Sequence, residues 1–420
     1  MELLFLGGCQ TVGGSGVLVS DGETNILIDY GVYVGKKDNL IPELPPDDVD
    51  AVFLTHVHLD HAGGAPALYA DNYSDNPPVY VTPPTASLLS LLIDDMLKIK
   101  KLPFGKKEKN RMLRKTRIVN YGDTIKVDGM TVEIINSGHI PGAYSTVIRV
   151  NGKCVLYTSD FNTNETRLVE NADYSRLKPD VVITESTYAL EEHPERLQTE
   201  YEFVNAVHNV VENGGVVLIP AFAVARSQEI LCVLEKYNVE YSITLDGMAR
   251  DASRLLLQHP DYLKNYETLL RALSKCRWVR GFHDRVEATS RPGLIISPAG
   301  MLKGGPTIHY MRMLAKDNEN AIFLVSFQIP GTPGRILLDT GYFPLYGKPE
   351  RVDAQVKFFN FSSHVDRKQL RSFIEHVNND SVVFFTVHGE KEACYTLARE
   401  IEENYGNQAI NPKVGETYEL

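Results

Sequence analysis

Cysteine is scarce in this chain. Its five residues in 420, Cys9, Cys154, Cys232, Cys276 and Cys394, stand far apart, and none forms a C-x-x-C pair. That argues against a disulfide framework and a thiolate zinc site, and makes a reducing cytoplasm the default. Long apolar runs are missing too. No stretch approaches the roughly 18 residues that span a bilayer. The start, MELLFLGG, has no basic segment ahead of its short apolar run and does not read as a signal peptide. The chain is therefore expected to be soluble and cytoplasmic, with no membrane partner. Net positive charge is also lacking. Lys plus Arg is 43 against 54 Asp plus Glu, a net charge of −11. This argues against a whole-surface polyanion binder and leaves a local basic patch open. There is no internal repeat, low-complexity tract or long flexible linker. At 43% apolar and 23% charged the composition is globular. The length predicts two or three domains and a sizeable core.

The first third reads as short strands joined by turns: Glu2–Leu6, Gly16–Val19 and Asn25–Asp29, with Asp21-Gly22 as a hairpin signal. Ala51–Thr55 is a short apolar run typical of a buried strand, and the HVHLDHAGGAPALYA that follows turns helical in its later part. Further strands are expected at Val79–Thr82 and Arg117–Asn120, across 131–160, and at 180–185. After Glu191 the rhythm becomes an alternation of helix and strand, the pattern of a parallel α/β domain. The strand-rich style resumes at about Lys348. The simplest organisation is one domain, residues 1–190 and 348–420, interrupted by another at 191–347.

One segment runs against the acidic balance. Lys98 to Arg117 holds ten Lys or Arg and one acid, Glu108, and Pro103 and Gly105 divide it into two helical pieces. It is either a solvated charged face or a local surface that attracts phosphates.

The strongest chemical signal is His56-Val57-His58-Leu59-Asp60-His61, directly after a buried strand. Extended geometry points the i, i+2 imidazoles the same way, and Asp60 and His61 open the next helix. Four N/O ligands in six residues can serve two adjacent metals. His139 and Asp160 fall at further strand ends, where a dinuclear site needs another nitrogen ligand and a bridging carboxylate. Two late histidines, His364 in SSHVD and His388 in TVHGE, also follow apolar strands. Taken alone, each is equally a residue beside a helix cap. His193, His208, His259, His283, His309 and His376 lie in helices or polar loops and receive no role.

In the inserted region, PAFAVARSQEIL is a strand, a tight loop and a helix. Its N-terminus, with Arg226 and Ser227, suits a phosphate, or Ser227 simply caps it. SPAGMLKGGP carries Gly300, Gly304 and Gly305 after a strand, so a backbone could approach phosphate closely. GGSG at Gly13 lacks the G-K-[ST] ending of a nucleotide P-loop.

The order of these motifs resembles the metallo-β-lactamase fold: Asp29 after a strand, H-x-H-x-D-H, His139, then Asp160. The continuation resembles its β-CASP nuclease branch, through Glu185 in ITEST, His364 in SSHVD, His388 in TVHG, and the segments PAFAVARSQEIL, SPAGML and GTPGR (Gly331–Arg335). The resemblance covers essentially the whole chain. It implies an α/β fold: an αββα sandwich with an inserted parallel α/β β-CASP domain. It implies two zinc ions, with Mn²⁺ or Fe²⁺ also suited to N/O ligands. One would be held by His56, His58 and His139, the other by Asp60, His61 and His388, with Asp160 bridging. Asp29 would orient the ligand loop from behind. Glu185 would orient His364, and His364 would protonate the leaving oxygen. Water acidified by the cations would attack phosphorus in line, leaving a 5′-phosphate and a 3′-hydroxyl.

ITEST and SSHVD look more like the endonuclease subunit of the eukaryotic pre-mRNA cleavage and polyadenylation factor, and its archaeal homologues, than like ribonuclease J. The N-terminal KH-type domains of the longer archaeal homologues have no expected counterpart, because the first fold strand starts at residue 2. The expected activity is a zinc-dependent ribonuclease acting on single-stranded RNA, with a homodimer or an RNA-processing complex as the assembly. A lean toward 5′-to-3′ exonuclease action with some internal cutting follows from the missing accessory domain. The competing readings are a DNA-processing nuclease of the same branch, which His388 argues against, a small-molecule metallo-hydrolase, and a non-catalytic scaffold. The last is opposed by the complete ligand set.

Overall fold

The computed structural model describes residues 1–33, 40–46, 48–71, 73, 76–99 and 101–420; Lys100 of the basic segment lies outside them. The chain divides into two compact units. The first comprises Met1–Glu165, Glu170–Glu192 and Ser363–Leu420, and the second Thr166–Val169 and His193–Ser362.

The first unit is built on two seven-stranded sheets. One runs in the order Thr417–Glu419, Glu2–Gly7, Gly16–Ser20, Asn25–Ile28, Ala51–Phe53, Val79–Val81, Thr116–Ile118. The other runs Ala409–Ile410, Val383–Val387, Val181–Glu185, Lys153–Tyr157, Tyr144–Val150, Met130–Asn136, Thr124–Val127. The Asp21-Gly22 turn joins an antiparallel pair in register Val17↔Ile28 to Ser20↔Asn25, as the hairpin signal predicts. Apolar residues of both sheets, among them Phe5, Ile28, Phe53, Ile134, Tyr144, Ile183 and Phe385, share one buried cluster. The helices Arg367–Val377 and Lys391–Tyr405 close a second cluster with Leu156, Val182 and Phe384. This is the αββα sandwich that the motif order implies.

Strand direction positions the chemistry. Asn25–Ile28, Ala51–Phe53 and Val79–Val81 are mutually parallel, so Asp29 and the HVHLDH loop leave the same edge. Lys153–Tyr157, Val181–Glu185 and Val383–Val387 are parallel as well, with Tyr157 opposite Ile183 and Glu185 opposite Val387. Asp160, Glu185 and His388 therefore fall at adjacent strand ends.

The second unit is a six-stranded parallel sheet in the order Arg277–Trp278, Ile243–Leu245, Gly293–Ser297, Val216–Pro220, Ala321–Leu324, Gln355–Phe358. The last strand corrects the sequence reading, which returned the chain to the first domain at residue 348. Gln355–Phe358 pairs with Ala321–Leu324, and the first unit resumes only at Ser363. Its amphipathic pattern suits either sheet, and the parallel partner decides. The segment after Gly64 is also not an α-helix. Pro66 lacks an N–H, and Ala65–Tyr69 forms a 3-10 turn.

Candidate metal centre

The HVHLDH loop is held by backbone bonds from its neighbours. Tyr30 N–H donates to the His61 carbonyl at 2.7 Å, Val32 N–H to Leu59 at 2.8 Å, Ser15 N–H to Asp60 at 3.0 Å, and Tyr144 N–H to Thr55 at 2.9 Å. Gly31 passes so close that a Cβ there would sit 1.7 Å from the Asp60 carbonyl oxygen. Any side chain at Gly31 would push the loop away. Asp29, Ser159 and His388 all have positive φ, at 58°, 55° and 47°. Three non-glycine residues in the left-handed region at strand ends of one site mark strain held where side chains must be aimed.

The seven ligand candidates converge. Asp160 Oδ2 lies 3.6 Å from His56 Nε2, 3.3 Å from His61 Nε2, 3.7 Å from His139 Nε2 and 4.0 Å from His364 Nε2. Its Oδ1 lies 3.2 Å from His388 Nδ1. Nitrogens face each other across short gaps, His139 Nε2 to His58 Nδ1 at 3.2 Å and His61 Nε2 to His388 Nε2 at 3.2 Å. Donor atoms of His56, His58, His139 and Asp160 lie within 4.8 Å of one another, as do those of Asp60, His61 and His388, and those of Asp160, Glu185 and His388.

The electrostatics follow from this crowding. Burial first, then neighbouring imidazoles, lowers His56 well below the usual histidine range. His139 is lowered for the same reasons, and burial brings His58 down to about 4. All three are neutral near pH 7 and able to ligate. Burial would lower His61 as well, but the carboxylates of Asp160 and Asp29 outweigh it and raise it well above its usual range. Burial would raise Asp160, but His388, His61 and His364 hold it well below the carboxylate range. Among the described residues, His56 Nε2 is buried without a hydrogen bond, and Asp160 Oδ1 makes none beyond its ion-pair contact with His388. Orphaned polar atoms cost free energy unless something binds them. An all N/O set with inward nitrogens and such orphans fits divalent cations.

Supporting groups fix the ring orientations. Asp29 Oδ2 lies 2.8 Å from His61 Nδ1, while its Oδ1 accepts from Thr55 N–H at 2.8 Å. Ser363 C=O lies 2.9 Å from His139 Nδ1. Glu185 Oε2 lies 2.8 Å from His364 Nδ1. Its other contacts are Phe161 N–H on Oε1 at 2.8 Å and the Thr187 hydroxyl on Oε2 at 2.6 Å, which occupy the carboxylate as an orienting group. Sequence reasoning missed four participants. Thr55 and Tyr157 donate to Asp29 Oδ2 at 2.9 and 3.1 Å. Ser159 Oγ lies 2.6 Å from Thr55 Oγ1, and Thr187 Oγ1, whose hydrogen goes to Glu185, lies 3.0 Å from the His388 carbonyl. Their only sequence signal is adjacency to ligand motifs.

The loops read as phosphate holders behave differently. Arg226 and Ser227 open the helix Arg226–Lys236, but its first N–H groups are already used: Arg226 donates to Val224 and Ser227 to Phe222. Ser227 is fully buried, and its hydroxyl also donates to Phe222 C=O at 2.7 Å. This corrects the expectation of free donors there, and Ala225 rather than Ser227 is the N-cap residue. Gly300 is a packing glycine, since a Cβ would meet Ser326 Oγ at 2.8 Å, whereas Gly304 faces open space and Gly305 has φ of 70°. In the basic segment, Lys109 is buried against Asp94 at 2.7 Å, and Lys107 and Arg111 both pair with Asp71. These three of its ten cations are thus paired with two carboxylates.

Comparison with known proteins accords with this geometry. A model of the Zn-dependent metallo-hydrolase RNA specificity domain matches residues 349–412, the Beta-Casp domain matches 227–337, and a model named for the anti-Pycsar protein Apyc1 matches 1–202. The chain is 36% identical to RNase aCSPSF2 of Saccharolobus solfataricus, over 100% of this chain and 85% of that one. It is 35% identical to Probable RNase MJ4 of Methanocaldococcus jannaschii, over 99% of both. It is 32% identical to Transcription termination factor FttA of Pyrococcus horikoshii, over 100% of this chain and 71% of that one. A solved Enterococcus faecalis protein of unknown function shares the fold, with a TM-score of 0.66 at 18% identity over 100% of this chain and 99% of that one. The chain belongs to the β-CASP family of metallo-β-lactamase-fold ribonucleases. No helix among the described residues is long and apolar enough to cross a membrane.

Proposed function

We propose that this ribonuclease uses two zinc ions to hydrolyse single-stranded RNA, leaving 5′-phosphate and 3′-hydroxyl ends, in the cytoplasm. His56, His58 and His139 would hold one ion, Asp60, His61 and His388 the other, with Asp160 between them. The observation that carries this is the convergence on Asp160 of four ligand imidazoles, His56, His61 and His139 within 3.7 Å of its Oδ2 and His388 at 3.2 Å from its Oδ1. When bound, such cations supply Lewis acidity toward the phosphoryl group and a lowered pKa for water.

The chain's own residues do the rest. Asp29 accepts from His61 Nδ1–H, so His61 Nε2 faces inward. Ser363 C=O does the same for His139. Glu185 accepts from His364 Nδ1–H, which fixes the ring. His364 Nε2 is thereby aimed to protonate the leaving 3′-oxygen. With the backbone donors of Arg226 and Ser227 and the Ser227 hydroxyl committed internally, the end-reading version loses the helix N-terminus as a phosphate holder. We therefore propose that internal cutting accompanies 5′-to-3′ degradation without a requirement for one 5′ end chemistry. Digestion of one RNA as linear 5′-monophosphate, linear 5′-triphosphate and circular forms, with single-stranded DNA in parallel, tests this. Comparable cleavage of all three RNA forms is expected. Inert circular RNA would restrict the enzyme to ends, and preferred cleavage of DNA would overturn the RNA reading.

A further inference from the structure

We propose that the second unit carries a separate binding site for a nucleoside phosphate, built from four arginines around Trp278. A cavity of about 490 Å³ is lined by Arg250, Arg254, Arg277, Arg280 and Trp278, with Asp284 as the single carboxylate of the lining. That volume is within the range of small-ligand sites.

The lining is arranged rather than incidental. Arg277–Trp278 is the edge strand of the parallel sheet, and Val279 and Arg280 follow its carboxyl end. Open α/β sheets bind ligands on that side. Trp278 is the only tryptophan of the chain. Its Nε1–H donates to Leu273 C=O at 3.2 Å, which fixes the indole, and the Arg254 guanidinium stands 4.7 Å from its ring centroid. Arg250 is held by the backbone carbonyls of Gly247 and Val279, which orient it without cancelling its charge. Asp284 spends one oxygen on the Arg280 N–H at 2.6 Å. Arg254 and Arg277 have acid partners outside the lining, Asp251 at 3.0 Å and Glu287 at 2.7 Å. Those pairs are partly solvent-exposed, so exchanging them for a phosphate costs little.

Guanidinium forks match phosphate oxygens in two-bonded geometry, and an indole offers a face to a base. A phosphate and a base on one ligand satisfy both parts of the cavity. The ligand is either one unit of a bound RNA strand or a free nucleotide. The cavity argues for the site by itself, and only the RNA source rests on the ribonuclease reading.

The single tryptophan makes the test direct. The emission of the full chain is followed while AMP, adenosine, inorganic phosphate or a slowly cleaved phosphorothioate oligoribonucleotide is added. AMP should change the emission saturably, inorganic phosphate should compete, and adenosine should bind at least about tenfold more weakly. R277Q/R280Q should weaken AMP by about tenfold or more, and R277K/R280K should restore part of it. If the oligoribonucleotide reproduces the change and competes with AMP, the site holds the RNA strand; if only AMP does so, it is a free-nucleotide site. No saturable change with AMP or RNA, or a change that R277Q/R280Q leaves intact, overturns the proposal. Should that variant fail to fold, failure of phosphate to compete with AMP on the unaltered protein does so. None of these readouts uses RNA cleavage, so failure here leaves the metal-centre reading standing.

Discussion

The imidazole of His61 rests on the carboxylate of Asp29, Nδ1 to Oδ2 at 2.8 Å, with both side chains wholly buried. The two residues lie 32 positions apart, and Thr55 and Tyr157 bind the same carboxylate. Asp29→Asn keeps the shape and removes the charge. It should weaken metal retention by about 10–100-fold, as losses behind a ligand do. Competition against a graded chelator series measures this, and unchanged retention would make Asp29 a packing residue.

Metal content tests the ligand set. Purified protein should approach two divalent ions per chain, the stoichiometry of a two-metal phosphodiesterase. Chelation should abolish RNA cleavage, and zinc should restore it. His58→Ala should lose metal and activity together. A metal-free protein that cleaves at full rate would end this reading.

The Glu185–His364 pair should act on the chemical step. His364→Ala should lower kcat by about 10²–10⁴-fold, the scale of a general acid, while elemental analysis still finds the metals. Loss of metal with unchanged turnover per loaded site would make His364 a ligand instead.

The same pair has a pH signature in the chelated protein. Burial opposes protonation of His364, but Glu185 and Asp160 raise it to about 9 from 6.5. A raised histidine stabilises the fold fully below the unfolded value and loses that contribution as pH rises through the folded one. Denaturant titrations should show this contribution falling between pH 6.5 and 9, and Glu185→Gln should flatten that part of the slope. Identical slopes would contradict the assignment.

The basic segment separates into structural and solvent-facing charges. Lys109 is buried beside Asp94 and Ser90, so Lys109→Ala should cost about 1–3 kcal/mol of stability. Lys101, Lys106, Arg114 and Lys115 are exposed. Neutralising them together should reduce the salt slope of RNA binding by up to about 0.7 per lost phosphate contact. An unchanged slope would leave the segment a solvated face.

What could be read in advance was local. The HVHLDH run follows a buried strand, and period-two geometry sends His56 and His58 to one side whatever the rest of the chain does. Strands such as Val181–Glu185 were visible because burial on both faces demands unbroken apolar sequence. Short polar elements were not: the edge strand Arg277–Trp278 and the helix Phe282–Thr289 carry too few apolar residues to show a period.

The sequence by itself determined the candidate ligand types, their order and the interruption of one domain by another, because residue chemistry and hydrophobic periodicity are properties of the chain; the sandwich followed from the motif resemblance. Only the tertiary structure decided which atoms meet. Parallel pairing placed Glu185 beside Val387 and Gln355–Phe358 in the second unit's sheet. Long-range side-chain hydrogen bonds joined His61 to Asp29 and His139 to the Ser363 carbonyl. The backbone donors of Arg226 and Ser227, free on paper, were consumed by carbonyls two and five residues away. Such outcomes depend on distances between groups that sequence separation does not encode, and on the requirement that every buried polar group find a partner.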